Sequence, residues 1–182
     1  MPYSSDAFDE LIGTMLKLWN YKRYLDVGCG AGKYGRMIRT LVPGSHIIGI
    51  EVDREYIDLF SLNQTYDEVL NDCVQSLLNG PQRVNFELVV LGDVLEHMLK
   101  SDGLNVIDFF AYRCKRMIAV YPSKYIQYDV NGKIHESHRS IWGPQDFNHL
   151  KCDHSTSGYM NLAIIQGYLD DEDAVYPSGD VR

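Results

Sequence analysis

The sequence predicts an α/β fold in which a mostly parallel sheet is covered by helices on both faces. Short apolar runs alternate with segments of helical periodicity, which is the pattern of repeated strand–helix–strand units. One run, residues 46–52 (HIIGIEV), is almost continuously apolar, as expected for a strand buried on both faces of a parallel sheet. A glycine-rich turn follows residues 24–27, the first of these apolar runs. Open α/β sheets bind nucleotide-like ligands at such a turn.

Seven segments are predicted as strands. The first five contain β-branched or aromatic residues, and each is followed by Gly, Asp, Asn or Pro. In chain order these five cover residues 24–27, 46–52, 68–70, 86–91 and 117–121. Residues 152–159 and 162–169 predict a final antiparallel pair with a tight turn near Met160-Asn161. The prediction is therefore a Rossmann-like, seven-stranded, mostly parallel sheet with an antiparallel C-terminal strand pair.

The segments between the strands are predicted as helices. Apolar residues at helical spacing indicate an N-terminal helix within residues 1–20, which packs on the sheet or forms a lid over the ligand. The other predicted helices cover residues 32–41, 54–62, 75–78, 94–100, 104–114 and 144–150. Asp102-Gly103 is predicted to separate two of them. Asp53 is predicted to cap the helix that starts at Arg54.

Two segments lack a regular pattern. Residues 123–143 are rich in Tyr, His and Gly, and Asn131-Gly132 predicts a hairpin turn. Residues 170–182 form an acidic tail with Pro and Gly, which we expect to be mobile or lightly docked. Because no linker is long enough to divide domains, residues 1–182 are predicted to form a single domain.

Composition narrows the class of protein. The formal net charge of −8 disfavours nucleic acid as a partner, because phosphate neutralisation needs a basic surface. The four cysteines stand far apart without a CxxC pair, which indicates neither a zinc site nor a disulfide framework. No run approaches the roughly 18 apolar residues of a membrane span, and no signal peptide is recognisable. We therefore expect a cytoplasmic protein without membrane contact.

The glycine-rich turn allows two interpretations. Gly30, Gly32 and Gly35 match the dinucleotide pattern GxGxxG, but the turn then begins later after the strand than that motif prefers. Read from Gly28, the pattern fails because a lysine replaces the third glycine. The acid Asp26, inside the strand, is not part of the dinucleotide fingerprint. An NAD-dependent oxidoreductase is therefore the weaker alternative.

The turn also resembles the first motif of class I S-adenosylmethionine-dependent methyltransferases, (D/E)-x-G-x-G-x-G. Residues 26–32 read DVGCGAG, and three later segments match the family in order. Glu51 ends the second strand, Asp72-Cys73 follows the third, and residues 91–97 (LGDVLEH) resemble the D-x-L-E-H segment of the small-molecule and ubiquinone-type branch. The similarity covers about residues 20–121.

The resemblance implies S-adenosyl-L-methionine as the cofactor. It assigns the ribose hydroxyls to Glu51, the adenine amino group to Asp72 and an adenine ring nitrogen to the N–H of Cys73. Asp26 would orient the methionine ammonium, directly or through water. The full set of implied cofactor-binding residues is Asp26, Gly28, Cys29, Gly30, Gly32, Glu51, Val52, Asp72, Cys73, Leu91 and Gly92.

The resemblance places the acceptor under residues 122–145, a region that often covers the acceptor pocket in this family. A hydroxyl acceptor benefits from a general base, for which we consider His138 first, His135 second and Asp93 third. Hydrogen bonding within the loop explains either histidine equally well. His135-x-x-His138 lacks a third ligand, so we expect no metal site. Glu96 and His97 are interpreted as ties between a helix and its neighbouring loops.

We therefore predict an S-adenosylmethionine-dependent methyltransferase with a small-molecule acceptor, O-methylation being preferred over N- or C-methylation. The fourth strand is not followed by (D/N)-P-P-(Y/F), which disfavours nucleobase and glutamine acceptors. A cofactor-binding but catalytically silent partner subunit is the alternative from another class. The sequence predicts neither the identity of the acceptor nor the oligomeric state.

Overall fold

A seven-stranded sheet forms the centre of the computed structural model, which describes residues 3–79, 85–124, 127–129 and 132–169. The strands are β1 (Arg23–Val27), β2 (His46–Ile50), β3 (Glu68–Leu70), β4 (Phe86–Gly92), β5 (Cys114–Pro122), β6 (Cys152–Ser157) and β7 (Met160–Gln166). Their order across the sheet is β3-β2-β1-β4-β5-β7-β6. The first five strands run parallel, and β7 is antiparallel to both of its neighbours. The predicted fold class is confirmed.

Helices cover both faces of this sheet. They are α1 (Asp9–Trp19), α2 (Lys33–Leu41), α3 (Arg54–Leu59), α4 (Gln75–Asn79) and α5 (Lys100–Ala111). Successive residues of β4 point to opposite faces, so Leu88 joins the buried cluster of α1 and α2 while Val89 joins that of α5. In the described part of the chain, no helix has the length and apolarity needed to cross a membrane.

The predicted helix break at Asp102-Gly103 is wrong. The segment before it forms only a 3₁₀ turn, Leu95–His97, and α5 then runs without interruption from Lys100 to Ala111. A Cβ atom on Gly103 would lie 2.5 Å from Cζ2 of Trp142. Glycine is therefore required here because the buried indole packs against the helix backbone, not because the chain turns.

The final hairpin turns two residues earlier than predicted. Ser157 of β6 pairs with Met160 of β7, so the turn consists of Gly158 and Tyr159. Gly158 has φ +61°, a left-handed conformation that glycine adopts without strain. Asn131 of the other predicted hairpin turn lies outside the described residues, as does the whole predicted tail, residues 170–182.

Tyr66, which precedes β3, explains two glycines of the neighbouring elements. A Cβ atom on Gly35 of α2 would lie 2.3 Å from Cζ of Tyr66, and one on Gly49 of β2 would lie 2.9 Å from its Cδ1. The Tyr66 hydroxyl donates to Oδ2 of Asp26 at 2.5 Å. Gly35 therefore admits a buried tyrosine ring, which accounts for the apparent third glycine of the dinucleotide pattern.

We predict that Gly35→Ala lowers the free energy of unfolding by about 1–3 kcal/mol, as overpacking of a buried site does. The added methyl group would overlap the Tyr66 ring, which outweighs the gain of about 1 kcal/mol in helix propensity. Urea denaturation of the purified variant measures the change.

Gly13→Ala in α1 is the matched control. A Cβ atom there meets only Cδ1 of Leu41, at 3.3 Å, and this flexible methyl group can move. The control is expected to be neutral or stabilised by up to about 1 kcal/mol. If Gly35→Ala were stabilised as much as the control, the proposed packing of Tyr66 would be wrong.

Candidate active site

A cleft opens at the carboxyl ends of β1, β2 and β4, and encloses about 1000 Å³ of space that is partly open to solvent. It lies where open parallel sheets hold their ligands. The sequence-predicted residues that line it are Gly28, Gly30, Glu51, Val52, Asp72, Cys73, Gly92, Asp93 and His135. The remaining predicted residues are buried and do not line it, namely Asp26, Cys29, Gly32, Leu91 and His138.

The turn after β1 forms the floor of the cleft. Gly28, Gly30 and Gly32 have φ values of +71°, +49° and +76°, so each adopts a conformation that is strained for other residues. The N–H of Gly28 donates to the carbonyl of Ile50 at 2.9 Å, which fixes the turn to the end of β2. A Cβ atom on Gly28 would lie 2.6 Å from Cγ2 of Val94. Gly28 and Gly30 also line the cleft, so a ligand can approach their backbone closely.

Glu51, directly after β2, presents a fixed carboxylate to the cleft. Its Oε2 accepts from the N–H of Gly30 at 2.7 Å, and its Oε1 accepts from the N–H of Asp53 at 2.9 Å. Burial raises the pKa of this carboxyl group, while the two N–H donors act in the opposite direction. Each carboxylate oxygen has a further lone pair, so both can still accept from a ligand.

Asp72 and Cys73 lie at the end of β3 and are both exposed. In this structure Oδ1 of Asp72 accepts from the N–H of Cys73 at 2.7 Å. The two groups that the resemblance assigns to adenine are therefore bonded to each other. Contact of both with one ligand requires the Asp72 side chain to rotate away from that N–H.

Asp26 supports the turn from behind. It is 1% exposed, and Oδ2 accepts from the Tyr66 hydroxyl, while the N–H of Gly35 also bonds to the carboxyl group. Burial raises its pKa to about 6, against the lowering effect of these hydrogen bonds. Because Asp26 is absent from the wall of the cleft, it acts here as an anchor for the turn.

The segment around Ile134–Glu136 covers one side of the cleft. Lys133 forms ion pairs with Asp53 and with Glu55, the latter at 2.7 Å. Nε2 of His135 lies 3.2 Å from Oδ2 of Asp53, and its ring meets the edge of the Tyr56 ring. Asp53 also accepts from the N–H of Glu55 at 2.9 Å, which confirms its predicted cap. Lys133 belongs to no sequence motif, so the sequence analysis did not predict this contact.

The N-terminal residues Tyr3–Ser5 cover the opposite side. The N–H of Ser5 donates to Oδ2 of Asp93 at 3.0 Å, and the Lys33 ammonium donates to the carbonyl of Ser5. Lys33 also pairs with Asp9 at 2.5 Å, so it connects α2 to the N-terminal segment. Burial raises the pKa of Asp93 to about 6. Sequence patterns did not identify Tyr3 or Ser4, although both line the cleft.

At the far end of the cleft, the 3₁₀ turn Leu95–His97 meets the segment that carries His138. The rings of His97 and His138 are perpendicular, with centroids 5.0 Å apart. Glu96 and His138 are 2% and 4% exposed. Burial, with a smaller contribution from His97, lowers the pKa of His138 to about 4. The low pKa makes the His138 imidazole weakly basic and its burial keeps it off the cleft wall, so neither favours the role of general base that we considered for it.

Comparisons with known proteins identify the fold. No protein-family model and no curated protein matches the chain. Among solved structures, an O-methyltransferase family protein from Burkholderia thailandensis matches at 14% identity and a TM-score of 0.60, over 89% of this chain and 57% of that one. This chain thus spans little more than half the length of the Burkholderia protein.

Two further structures match over most of both chains. A SAM-dependent methyltransferase from Archaeoglobus fulgidus has 15% identity and a TM-score of 0.62, over 86% of this chain and 93% of that one. Magnesium protoporphyrin IX methyltransferase from Synechocystis PCC 6803, solved with bound SAH, has 12% identity and a TM-score of 0.60, over 87% and 83%. The chain has the class I S-adenosylmethionine-dependent methyltransferase fold, as the resemblance implied.

We predict that Asp26→Asn removes a pH-dependent loss of stability. The folded-state pKa of about 6 exceeds the ordinary value of 3.8, so folded protein holds this proton more tightly than unfolded protein does. The resulting stabilisation is complete below pH 3.8 and is lost as the pH rises through about 6. Between pH 4 and pH 7.5, the unfolding free energy of the unchanged, ligand-free protein should fall by about 2 kcal/mol more than that of Asp26→Asn.

Urea denaturation at both pH values measures this difference, and other titrating groups cancel in the comparison of the two proteins. Asp153→Asn, at an exposed position on β6, is the matched control and should follow the unchanged protein at both pH values. Parallel behaviour of Asp26→Asn and the unchanged protein would show that Asp26 is not held protonated by its surroundings.

Proposed function

We propose that this chain is an S-adenosylmethionine-dependent methyltransferase that transfers a methyl group to a hydroxyl oxygen of a small-molecule acceptor. The observation that carries the proposal is the arrangement of Glu51 beside the glycine turn, at the carboxyl ends of β2 and β1. Its carboxylate is fixed by the N–H groups of Gly30 and Asp53, and both oxygens remain able to accept from a ligand.

The cleft suits a nucleoside with a cis-diol. A carboxylate with two available lone pairs can accept from two adjacent hydroxyl groups at once. Val52, next to Glu51, is 50% exposed on the cleft wall and offers an apolar surface to a planar base. Asp72 lies on the same wall, where it can accept from an exocyclic amino group. We propose that these residues hold the ribose and adenine of the cofactor.

The glycine positions favour this cofactor over NAD. In the dinucleotide fingerprint, the third glycine permits close packing between the helix and the strand. Here the Tyr66 ring fills the space beside Gly35 instead. Asp26, inside the strand, accepts a hydrogen bond from the hydroxyl of that tyrosine. A nicotinamide-dependent oxidoreductase is thus the less supported alternative.

Bound S-adenosylmethionine supplies an electrophilic methyl group on a sulfonium, so the protein has mainly to align the acceptor with it. Alignment can contribute roughly 7–11 kcal/mol in well-oriented systems. The Glu51 carboxylate and the glycine turn hold one side of the cleft, and residues 133–136 and 3–5 narrow its mouth. Of the three base candidates, Asp93 and His135 line the cleft, and His135 is paired with Asp53. We therefore propose that Asp93, at the end of β4, receives the acceptor proton.

We expect S-adenosylhomocysteine to bind the purified protein and NADH to bind weakly or not at all, as measured by isothermal titration calorimetry. Glu51→Gln should weaken the binding of S-adenosylhomocysteine by about 1–3 kcal/mol, because an amide has only one acceptor oxygen for the two ribose hydroxyls. Glu68→Gln, at an exposed position on β3, is the matched control and should bind like the unchanged protein.

Thermal unfolding of both variants shows whether a binding loss is merely a folding defect. Preferential binding of NADH would refute the proposal. Methyl transfer from radiolabelled S-adenosylmethionine into metabolite pools then separates the enzyme from the alternative of a silent partner subunit. Tight cofactor binding without transfer to any pool would favour the silent subunit.

A further inference from the structure

We propose that Glu96, His97 and His138 bind a divalent transition-metal ion at the acceptor end of the cleft. One carboxylate oxygen and one nitrogen from each ring lie within 4.8 Å of one another. Ligands at about 2.0–2.2 Å from a shared ion lie roughly 3–4 Å apart, so small side-chain rotations complete the site. Two imidazoles and one carboxylate form a set that leaves coordination positions open.

The carboxylate of Glu96 supports this assignment independently of the spacing. The residue is 2% exposed, and within the described part of the chain no hydrogen-bond donor reaches its Oε2. A buried carboxylate oxygen that has lost water and gained no donor carries a considerable energetic cost. A bound cation between Glu96 and the two rings compensates for that cost.

The orientation of His97 fits metal ligation. Its Nδ1 lies 3.3 Å from the carbonyl oxygen of Ser137, which can only accept a hydrogen bond. Nδ1 therefore carries the proton, and the lone pair is on Nε2. Ligating histidines in metal sites almost always donate from their other nitrogen to a carbonyl or carboxylate in this way, which fixes both tautomer and ring plane.

Backbone hydrogen bonds hold the two ligand-bearing segments together. The N–H groups of Arg139 and Ser140 both donate to the carbonyl of Glu96, at 2.7 and 3.1 Å. The Ser140 hydroxyl donates to the carbonyl of Leu95, and the buried Trp142 donates to that hydroxyl at 2.8 Å. Ligands that are about 40 positions apart in sequence are thus brought together by the fold before any ion binds.

The ligand set indicates the kind of ion. Imidazole nitrogen with one carboxylate favours Fe²⁺, Co²⁺, Ni²⁺ or Zn²⁺ over the oxygen-preferring Mg²⁺ and Ca²⁺, and Mn²⁺ is expected to bind more weakly than these transition-metal ions. The sequence analysis predicted no metal site because His135 and His138 alone supply only two ligands. In the structure His135 belongs to the Asp53 cluster, while the third ligand for His138 comes from the turn after β4.

The consequence for catalysis rests on the proposed function. His97 and Asp93 line the cleft, so an acceptor hydroxyl that enters it can bind the ion and lose its proton more readily. In the transfer step the O–CH₃ bond forms as the S–CH₃ bond breaks, and the sulfonium becomes a neutral thioether. The hydroxyl proton leaves to Asp93 or to water.

Metal binding can be tested without any acceptor. Protein stripped with a chelator is titrated with Mn²⁺ and followed by electron paramagnetic resonance, and Co²⁺ absorption spectra report imidazole ligation. We expect one ion per chain, and binding weaker by at least about tenfold, or 1.4 kcal/mol, in His97→Ala and Glu96→Gln. His149→Ala removes an exposed imidazole that pairs with Asp108 at 2.8 Å, and this matched control should bind normally.

The proposal is overturned if the unchanged protein binds no ion at this stoichiometry, or if both ligand variants bind Mn²⁺ as tightly as it does. The Co²⁺ spectrum is recorded on the unchanged protein, so it still tests the metal site if a variant fails to fold. S-adenosylhomocysteine titrated in the presence of chelator tests the cofactor separately. An ion that binds while this ligand does not would leave the metal site standing and remove the proposed methyltransferase function.

Discussion

The hydrogen bond between the Tyr66 hydroxyl and the buried Asp26 carboxyl is the interaction on which the cleft depends. It joins β1, just before the glycine turn, to the chain that enters β3. The Tyr66 ring needs the space beside Gly35 and Gly49, so it also sets the distance of α2 and β2 from the turn. A hydrogen bond between two buried groups is costly to break, so this contact holds the turn in its observed conformation.

The glycine turn, held in this way, positions the groups that face the ligand. Gly30 is held in its left-handed conformation at the point where its N–H meets Glu51, and Glu51 also receives the N–H of Asp53. Asp53 then anchors Lys133 and His135, which bring the covering segment over the cleft. A series of short polar contacts thus runs from the anchor at Asp26 to the mouth of the site.

The sequence was sufficient for the sheet, because apolar runs and turn residues are short-range patterns. Apolar runs and turn residues predicted the seven strands and the antiparallel final pair, and the family resemblance together with the base candidates named nine of the residues that line the cleft. Gly103 was misread as part of a helix break, and the packing role of Gly35 was not predicted, since each glycine makes room for an aromatic ring from a distant segment. Periodicity and turn propensity cannot distinguish such a glycine from one that permits a turn, because the cause lies in tertiary packing.

The acceptor side could not be predicted in the same way, because the chemistry of its residues depends on how close the fold brings them to one another. Glu96-His97 and His138 each have an ordinary structural explanation when they are taken alone. His138 drew attention as a base, yet a side chain that is 4% exposed and absent from the cleft wall cannot approach an acceptor without disrupting that wall. The same burial favours a metal ligand, since the attraction between a carboxylate and a cation strengthens where water is excluded.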